Sequence, residues 1–395
     1  MNSKVLSGVL ILALLATACI SEFNANLPLN DLQILVVEGS IIENTDATFH
    51  ISKSFSLEDE SIPGESFINN ANVNIIGSNG YKSPLAINQG QGSYRIPVGK
   101  LDDDVEYGIQ IEYEGDTYQS TLSKPLYTPD IDSISWIQPD SAGTVFFHVS
   151  THDNADGSRF FMWSYTEDWE TNAIYYTTIF FDPVSGQFYE DLSLPYFYCW
   201  KTNESHRFLL GSTESLSENR IINQQIYQQG FESDRFSVLY SVTVNQKAIS
   251  KAAYEYYQNI IKLNEEMGGL FTPQPLEVTG NITCITDPSK KIIGYIETTK
   301  NTTQQRIFVY PSQLKRPLIY PQCNSITTEA LKLFLEENSF TYTHFYQMGY
   351  RPAGETNLEA YPQIIPLEWM PSHCTDCRDN GGSKNKPGFW PNNHE

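Results

Sequence analysis

The sequence predicts a mainly β protein, in which an immunoglobulin-like or fibronectin-like β-sandwich precedes a larger β-rich domain with about two helices. Short apolar segments alternate with polar residues at a period of two, and turn residues separate them at the spacing typical of sandwiches. Aromatic residues make up 13% of the 395 residues and charged residues only 18%, which favours a folded core. Only two segments show the three- and four-residue apolar period of a helix.

Residues 1–18 have the features of a signal peptide. Lys4 is the only charge, and the apolar run Val5–Ala16 is shorter than the roughly 20 residues that span a bilayer. The segment Leu15–Cys19 resembles the lipobox of bacterial lipoproteins, although Ala16 stands where leucine is usual. This resemblance implies cleavage before Cys19 and attachment of acyl chains such as palmitate to its thiol. The alternative is an ordinary cleaved signal with a cysteine nearby by chance.

The residues after the signal predict a soluble body held on a membrane by a tether. Residues 19–30 are polar and asparagine-rich with no clear period, as expected of a linker. Acyl chains on Cys19 would supply the membrane contact. The net charge of −22 repels phosphates, so nucleic acid is disfavoured as a partner.

Residues 31–127 predict the N-terminal sandwich. Leu32–Val37 is an apolar run, and Asn72–Ile75 alternates polar and apolar residues. Tyr94–Pro97 is a further short candidate strand. The alternating segment Tyr107–Tyr113 is followed by the turn residues Glu114–Asp116, which predicts a β-hairpin.

An acidic corner within this sandwich carries a second structural prediction. Leu101 precedes Tyr107 by six residues, a pattern that resembles the tyrosine corner, in which the phenol hydroxyl bonds to the backbone. Between them, Asp102–Asp104 could hold calcium through clustered carboxylates. A solvated loop is the favoured interpretation, because no further ligand spacing follows.

Residues 128–370 predict the larger β-rich domain, and the prolines of Pro125–Pro129 mark its start. Ser250 is a good N-cap for a helix that extends to Met267, and Thr328–Asn338 predicts the second helix with Leu331, Phe334 and Leu335 on its apolar face. The strand candidates are Val145–Val149, Arg159–Tyr165, Tyr175–Phe181, Tyr196–Trp200 and Phe236–Val244.

Five cysteines besides Cys19 are disulfide candidates: Cys199, Cys284, Cys323, Cys374 and Cys377. An odd number leaves at least one thiol without an intramolecular partner, and two bridges among five cysteines can be drawn in about fifteen ways. The Cys374–Cys377 CxxC could be half a zinc site or a redox pair, but it lacks the second ligand pair or the βαβ context. A structural role is favoured, in which it holds an irregular tail at residues 371–395.

No arrangement of residues indicates catalysis. The sequence has no GxSxG, HExxH, P-loop or GxGxxG motif, and its seven histidines show no metal-ligand pattern. A pair of carboxylates from distant strands remains open as a hydrolase site. We therefore expect a protein that is not an enzyme and uses no metal or cofactor.

Several local strings stand out along the chain: Leu35–Gly39, Asp153–Gly157, Phe160–Trp163, Tyr198–Trp200, Gly268–Phe271, Gln274–Pro275, Gly280–Ile282, Cys374–Cys377, Gly381–Ser383 and Lys386–Trp390. Together they resemble the DUF4249 family, lipoproteins of Bacteroidota. This resemblance implies an outer-membrane location, and family members tend to occur beside TonB-dependent receptors. The leaflet that the protein faces stays open, since Glu22 is the only acidic residue soon after Cys19.

Two functions follow as expectations. The first is a non-catalytic accessory subunit of a TonB-dependent transport system. The second is a surface module that binds a glycan or a peptide through exposed aromatics, suggested by Phe160–Tyr165 and Tyr196–Trp200. Aromatics at strand positions are more often core. Exposed rings in one groove would favour ligand binding, whereas a broad apolar patch would favour protein docking.

Overall fold

The protein is mainly β, as the sequence predicts. Its described residues form 24 strands and four helices. Cys19, the signal and the tether lie outside the described residues. The computed structural model describes residues 34–54, 66–139, 143–154, 157–193, 196–205, 207–266, 278, 280–315, 323–338, 340–354 and 368–391.

The N-terminal sandwich contains eight strands from the predicted range and three that come much later in the chain. The early strands are β1 Leu35–Glu38, β2 Ser40–Ile42, β3 Asp46–Lys53, β4 Asn72–Gly77, β5 Ile87–Gly90, β6 Ser93–Pro97, β7 Tyr107–Tyr113 and β8 Asp116–Ser120. The late strands are β18 Ile282–Cys284, β19 Ile292–Ile293 and β20 Glu297–Thr299.

The late strands extend both sheets of this sandwich. One sheet has the order β19-β1-β3-β6-β5 and the other the order β18-β8-β7-β4. β19 lies parallel to β1, β18 is antiparallel to β8, and β20 pairs with β2 in parallel. The predicted range 31–127 therefore leaves out three strands, because pairing between segments so far apart leaves no local pattern in the sequence.

One continuous core fills the space between the two sheets. Phe49 and Ile51 of β3 face Ile109 and Ile111 of β7, and all four side chains are fully buried. The predicted tyrosine corner is confirmed, since the Tyr107 hydroxyl accepts a hydrogen bond from the Asp102 backbone N–H at 3.0 Å.

The predicted hairpin between β7 and β8 is confirmed as well. Its two turn residues, Glu114 and Gly115, both have positive φ, at 50° and 86°. Positive φ at both central positions is the geometry of a type I′ turn, whose twist suits the strands that it joins.

A second sandwich follows, with a three-stranded sheet of order β16-β10-β9 and a five-stranded sheet in which β14-β11-β17-β21 are neighbours and β15 also pairs with β11. Phe147, Trp163 and Val242 lie in the buried core that these sheets enclose. Its strands are β9 Ile131–Ile137, β10 Val145–His152, β11 Phe160–Asn172, β14 Tyr198–Glu204, β15 Leu209–Ser212, β16 Arg220–Gln229, β17 Leu239–Ala248 and β21 Thr303–Val309.

Both predicted helices are present. Helix α1 spans Lys251–Glu266, and the Ser250 hydroxyl caps it by accepting a hydrogen bond from the Ala253 N–H at 3.1 Å. Helix α2 spans Thr328–Asn338, as predicted. Leu331 and Leu335 of α2 are buried, but Phe334 is 40% exposed, so the predicted apolar face is only partly used in the core.

The disulfide-linked region, which we define as the described residues between 323 and 391, is built from short elements. Its sheet has the order β22-β24-β23, and the hairpin β12-β13 lies beside it. Phe181 of the hairpin packs with Phe345 and Trp369 in a small core. The further elements are β12 Ile179–Asp182, β13 Gln187–Glu190, β22 Ile326–Thr327, α3 Tyr342–Gln347, β23 Tyr350–Ala353, β24 Glu368–Pro371 and α4 Ser372–Thr375.

Between residues 381 and 391 the predicted tail is irregular and is held by packing. A short 3-10 turn at Cys377–Asn380 comes directly before this part of the tail, and similar turns occur earlier in the chain at Asp234–Phe236 and Pro311–Gln313. Trp390 is 4% exposed, packs with Trp200, and donates its indole N–H to Glu170 Oε2 at 3.1 Å. The tail thus covers one face of the five-stranded sheet.

Candidate functional site

A small pocket lies where the hairpin β12-β13, strand β23 and the turn after α4 meet. Its volume is about 140 Å³. Its lining includes Phe180, Tyr189, Tyr196, Tyr346, Arg351 and Arg378. We call this the ring pocket. It combines aromatic surface with charged groups, which is typical of small-molecule sites.

Two disulfides fix the walls of the ring pocket. Cys377 is bonded to Cys199 of β14, and Cys374 is bonded to Cys323. The Cys377 N–H also donates to the Tyr196 carbonyl at 3.0 Å, and the Tyr175 N–H donates to the Cys374 carbonyl at 2.8 Å. Each cysteine of the CxxC therefore anchors the same turn to a different part of the chain.

The two disulfides show which cysteines pair and which role the CxxC has. The structural role predicted for the CxxC is confirmed, since Cys374 and Cys377 bind distant partners and not each other. Cys284 is the unpaired cysteine among the described residues, and it is 2% exposed in the core of the N-terminal sandwich. Spacing alone could not select this connectivity from the possible ones.

A metal at the same place does not fit the chemistry of the donor set. Cys323, His373 and Cys374 present ligand atoms within 4.8 Å of one another. Both sulfurs are in a disulfide, so neither is a thiolate, which is the form that binds zinc. The cluster is therefore a cross-link with a histidine beside it.

Aromatic rings form one side of the ring pocket. The ring of Phe180 lies 5.6 Å from that of Tyr189 at 32° and 5.4 Å from that of Tyr196 at 81°. Antiparallel pairing places Phe180 opposite Tyr189 on the hairpin. Burial raises the pKa of the Tyr189 hydroxyl, which therefore stays protonated and can donate a hydrogen bond.

Arg378 and Asp376 form an internal ion pair at the edge of the pocket. The Arg378 Nη2 lies 2.7 Å from Asp376 Oδ2, and its Nε lies 3.0 Å from Oδ1. This bidentate pair raises the pKa of Arg378, and the guanidinium lies 3.9 Å from the centre of the Tyr196 ring. The Arg378 charge is thus already neutralised within the protein.

Arg351 is held differently on the opposite side. Its Nη1 donates to the backbone carbonyls of Tyr346 and Tyr350 at 2.8 Å and 2.9 Å. Its guanidinium also lies 3.7 Å from the centre of the Tyr346 ring. Among the described residues no carboxylate forms an ion pair with Arg351, so Arg351 is a positioned cation that is not bound to a carboxylate in the described part of the chain.

Half of the aromatic residues singled out in the two sequence strings are core residues, and the other half are partly buried. Phe161, Trp163 and Tyr165 are at most 9% exposed, and so is Trp200. Of the two strings, only the second reaches the ring pocket, through Tyr196. Nothing in the sequence pointed to Arg351, because the pocket that it lines also needs residues between 177 and 196, which are far away in the chain.

Lysines pair with part of the acidic corner that could have held calcium. The Lys300 ammonium pairs with both Asp103 and Glu43, and Lys124 lies 3.7 Å from Asp104.

Glu167 is a deeply buried carboxylate with several protein partners, and it is 1% exposed. Its Oε1 accepts hydrogen bonds from Tyr227, Tyr240 and Arg235 at 2.5 to 2.8 Å, and its Oε2 accepts one from Asn203 at 2.8 Å. A buried carboxylate with protein donors on both oxygens stabilises its surroundings.

A second surface feature lies on α2 and α3. Phe334 packs on Phe340 at 6.2 Å, and Phe340 stacks on His344 at 5.4 Å, yet both phenylalanines remain about 40% exposed. Leu333 is 63% and Met348 55% exposed in the same segment. We call these four apolar residues the helical patch.

The chain belongs to the DUF4249 family. A model of this family, described as "Domain of unknown function (DUF4249)", matches residues 20–305. None of the curated proteins with which the chain was compared matches it. Among the described residues, no helix has the length and apolar character needed to cross a membrane.

Proposed function

We propose that this protein is a non-catalytic accessory subunit of a TonB-dependent transport system, anchored to the outer membrane through acyl chains on Cys19. The observation that carries the proposal is the helical patch. Clusters of exposed large apolar side chains typically mark protein contacts. The lipobox-like segment supports the membrane anchor. The TonB-dependent receptors that tend to occur beside members of the DUF4249 family support the choice of partner.

Docking is tested by co-purification of the native lipoprotein with a TonB-dependent barrel after gentle detergent extraction. Leu333→Glu places a charge in the helical patch at a position that is 63% exposed, so the fold should tolerate it. Ile222→Glu is the matched control, since Ile222 is 68% exposed on the second sandwich. We expect the barrel to be lost with the first variant and retained with the second. Recovery of the wild-type lipoprotein alone would contradict docking.

The anchor is tested separately. Cys19→Ser removes the acyl acceptor, so the chain should lose its acyl chains and leave the membrane fraction. Mass spectrometry of the mature N-terminus and fractionation measure both results. Firm membrane binding of the unacylated variant would require another anchor and contradict the role of Cys19.

A second candidate function is a surface module that binds a small ligand, and the ring pocket is the observation that favours it. Five aromatic side chains and two arginines line one concavity. The two functions are compatible, because the helical patch and the ring pocket contain no residue in common.

A further inference from the structure

We infer that the ring pocket binds a six-membered ring that carries one carboxylate. This inference rests on the second candidate function, the ligand-binding module, and is independent of docking. It follows from the size of the pocket, from its aromatic walls and from the charge of Arg351.

The volume of the pocket limits the ligand to one ring. The cavity measures about 140 Å³. A cavity of about 150 Å³ in another protein holds one benzene molecule. The ring pocket is therefore large enough for a benzene or pyranose ring, and a second ring would have to remain in solvent.

The walls offer faces and edges to such a ring. Tyr189 is 44% exposed, so its ring is available from solvent, whereas Phe180 is 9% exposed and forms the floor beside it. Tyr196 stands nearly perpendicular to Phe180. A planar aromatic ring or the C–H face of a sugar would pack against these surfaces.

Arg351 supplies the binding partner for an anion. The guanidinium has five N–H donors. Both hydrogen bonds that Arg351 makes within the described part of the chain start from Nη1, so no described residue accepts from its Nε or Nη2. Those two nitrogens form the edge of a guanidinium that binds a carboxylate through two parallel hydrogen bonds. The stacking on Tyr346 fixes the plane of that edge before a ligand arrives.

The other charges of the pocket sharpen this assignment. Asp376 is already bound to Arg378, so this pair adds no net charge. Asp379 is exposed at the rim, where water screens its repulsion of an anion. Arg351 therefore has the dominant effect on a ligand inside the pocket, and Asp379 has a weaker effect of opposite sign.

The test measures binding of matched rings to the full mature chain by calorimetry or ligand-observed NMR. Benzoate is compared with benzyl alcohol, and glucuronate with glucose. We expect one of the two acids to bind roughly tenfold to a hundredfold more tightly than its neutral partner, as for a charge-assisted pair. The pair that shows the difference identifies the ring as aromatic or as a sugar.

Two variants of opposite expected effect assign the carboxylate to Arg351. Arg351→Gln should abolish the preference for the acid, whereas Asp379→Asn should leave it intact or increase it. Arg351→Lys keeps the charge and serves as a rescue if the Gln variant unfolds. Equal binding of acids and neutral rings would overturn the carboxylate assignment but would still support a ligand-binding function. Absence of binding by all four probes would overturn both, without bearing on docking.

Discussion

The N-terminal sandwich and the disulfide-linked region are stabilised in different ways. Two sheets of the sandwich enclose one continuous core, and its described cysteine, Cys284, is free. The disulfide-linked region has short strands, short helices and a small core around Trp369, and it contains three cysteines that are all in disulfides. Small cores often need such cross-links, because they bury too little apolar surface on their own.

This difference explains where the candidate sites lie. A sandwich that depends on burial uses its large apolar side chains inside, as Phe49 and Ile111 do. The disulfide-linked region can expose Phe334 and Phe340 and can hold Arg351 without an ion pair to a described carboxylate, because covalent bonds supply part of the stability. The helical patch and most of the ring pocket are accordingly found there.

The family match covers the two regions unequally. It spans residues 20–305, which include every strand of the N-terminal sandwich. Tyr189 and Tyr196 of the ring pocket lie inside this range, whereas Tyr346, Arg351 and Arg378 lie beyond it. The ligand chemistry inferred for the pocket therefore depends on residues outside the family match.

The largest effect is expected from removal of the Cys199–Cys377 disulfide. Its cysteines are 178 residues apart. Removing a cross-link that closes a loop of that length lowers the free energy of unfolding by about 5 kcal/mol in the chain-entropy model. The double variant Cys199→Ala with Cys377→Ala should unfold at a lower temperature and become cleavable by protease in the disulfide-linked region. Thermal unfolding and limited proteolysis measure these results.

Cys284→Ala is the matched control in the N-terminal sandwich. It removes one buried sulfur, and a cavity of about that size costs about 1 kcal/mol. An equal loss of stability in the control and in the disulfide variant would contradict the division between a region stabilised by burial and one stabilised by cross-links.

A smaller effect is expected at Gly382, which lies against the same disulfide. A Cβ atom at this position would lie 2.5 Å from Cys199 Cβ and 2.8 Å from the Cys377 carbonyl oxygen. Gly382→Ala should cost about 1 to 3 kcal/mol, since neither neighbour is free to move. Chemical denaturation measures the change in the free energy of unfolding.

Gly388→Ala provides the comparison for that variant. Gly388 belongs to the same tail, and a Cβ atom there would meet no atom within 4 Å. Its substitution should leave stability nearly unchanged. If both variants had the same free energy of unfolding, the close packing of Gly382 on the disulfide would not contribute to the stability of the tail.

The two regions also differ in how far the sequence predicts them. In the N-terminal sandwich, alternation and turn chemistry are local signals, so the hairpin at Glu114–Gly115 and the corner at Tyr107 were predicted correctly. The return of Ile282–Thr299 to this sandwich was missed, because pairing over such a distance depends on tertiary structure.

In the disulfide-linked region, the sequence indicated the helix Thr328–Asn338 and the structural role of the CxxC. It could not indicate which cysteines pair, nor that Arg351 would line a pocket together with Tyr189 and Tyr196. Those features depend on contacts between segments that only the fold brings together. Periodicity placed Phe334 on the apolar face of this helix but could not say what would cover it, and the fold leaves it 40% exposed.

The smallest effect is expected from an ion pair on β14, the strand that carries Cys199. Lys201 of this strand donates to Asp234 Oδ2 at 2.7 Å, and the Trp169 indole donates to Oδ1 at 3.1 Å. Burial alone would raise the pKa of Asp234, but the hydrogen bond and charge of Lys201, with further donors, outweigh it and lower the pKa below 3.8. The ionised carboxylate is therefore favoured in the folded state.

Asp234→Asn should cost about 1 kcal/mol at neutral pH, because solvent partly screens this pair. The stabilisation is fully present above the ordinary pKa of 3.8 and is lost as the pH falls through the lower pKa of the folded state. The difference between wild type and variant should thus be constant from pH 7 to about pH 5 and shrink below 3.8. Thermal unfolding across this range measures it. A difference that grew on acidification would mean that the pair with Lys201 does not favour the ionised form of Asp234.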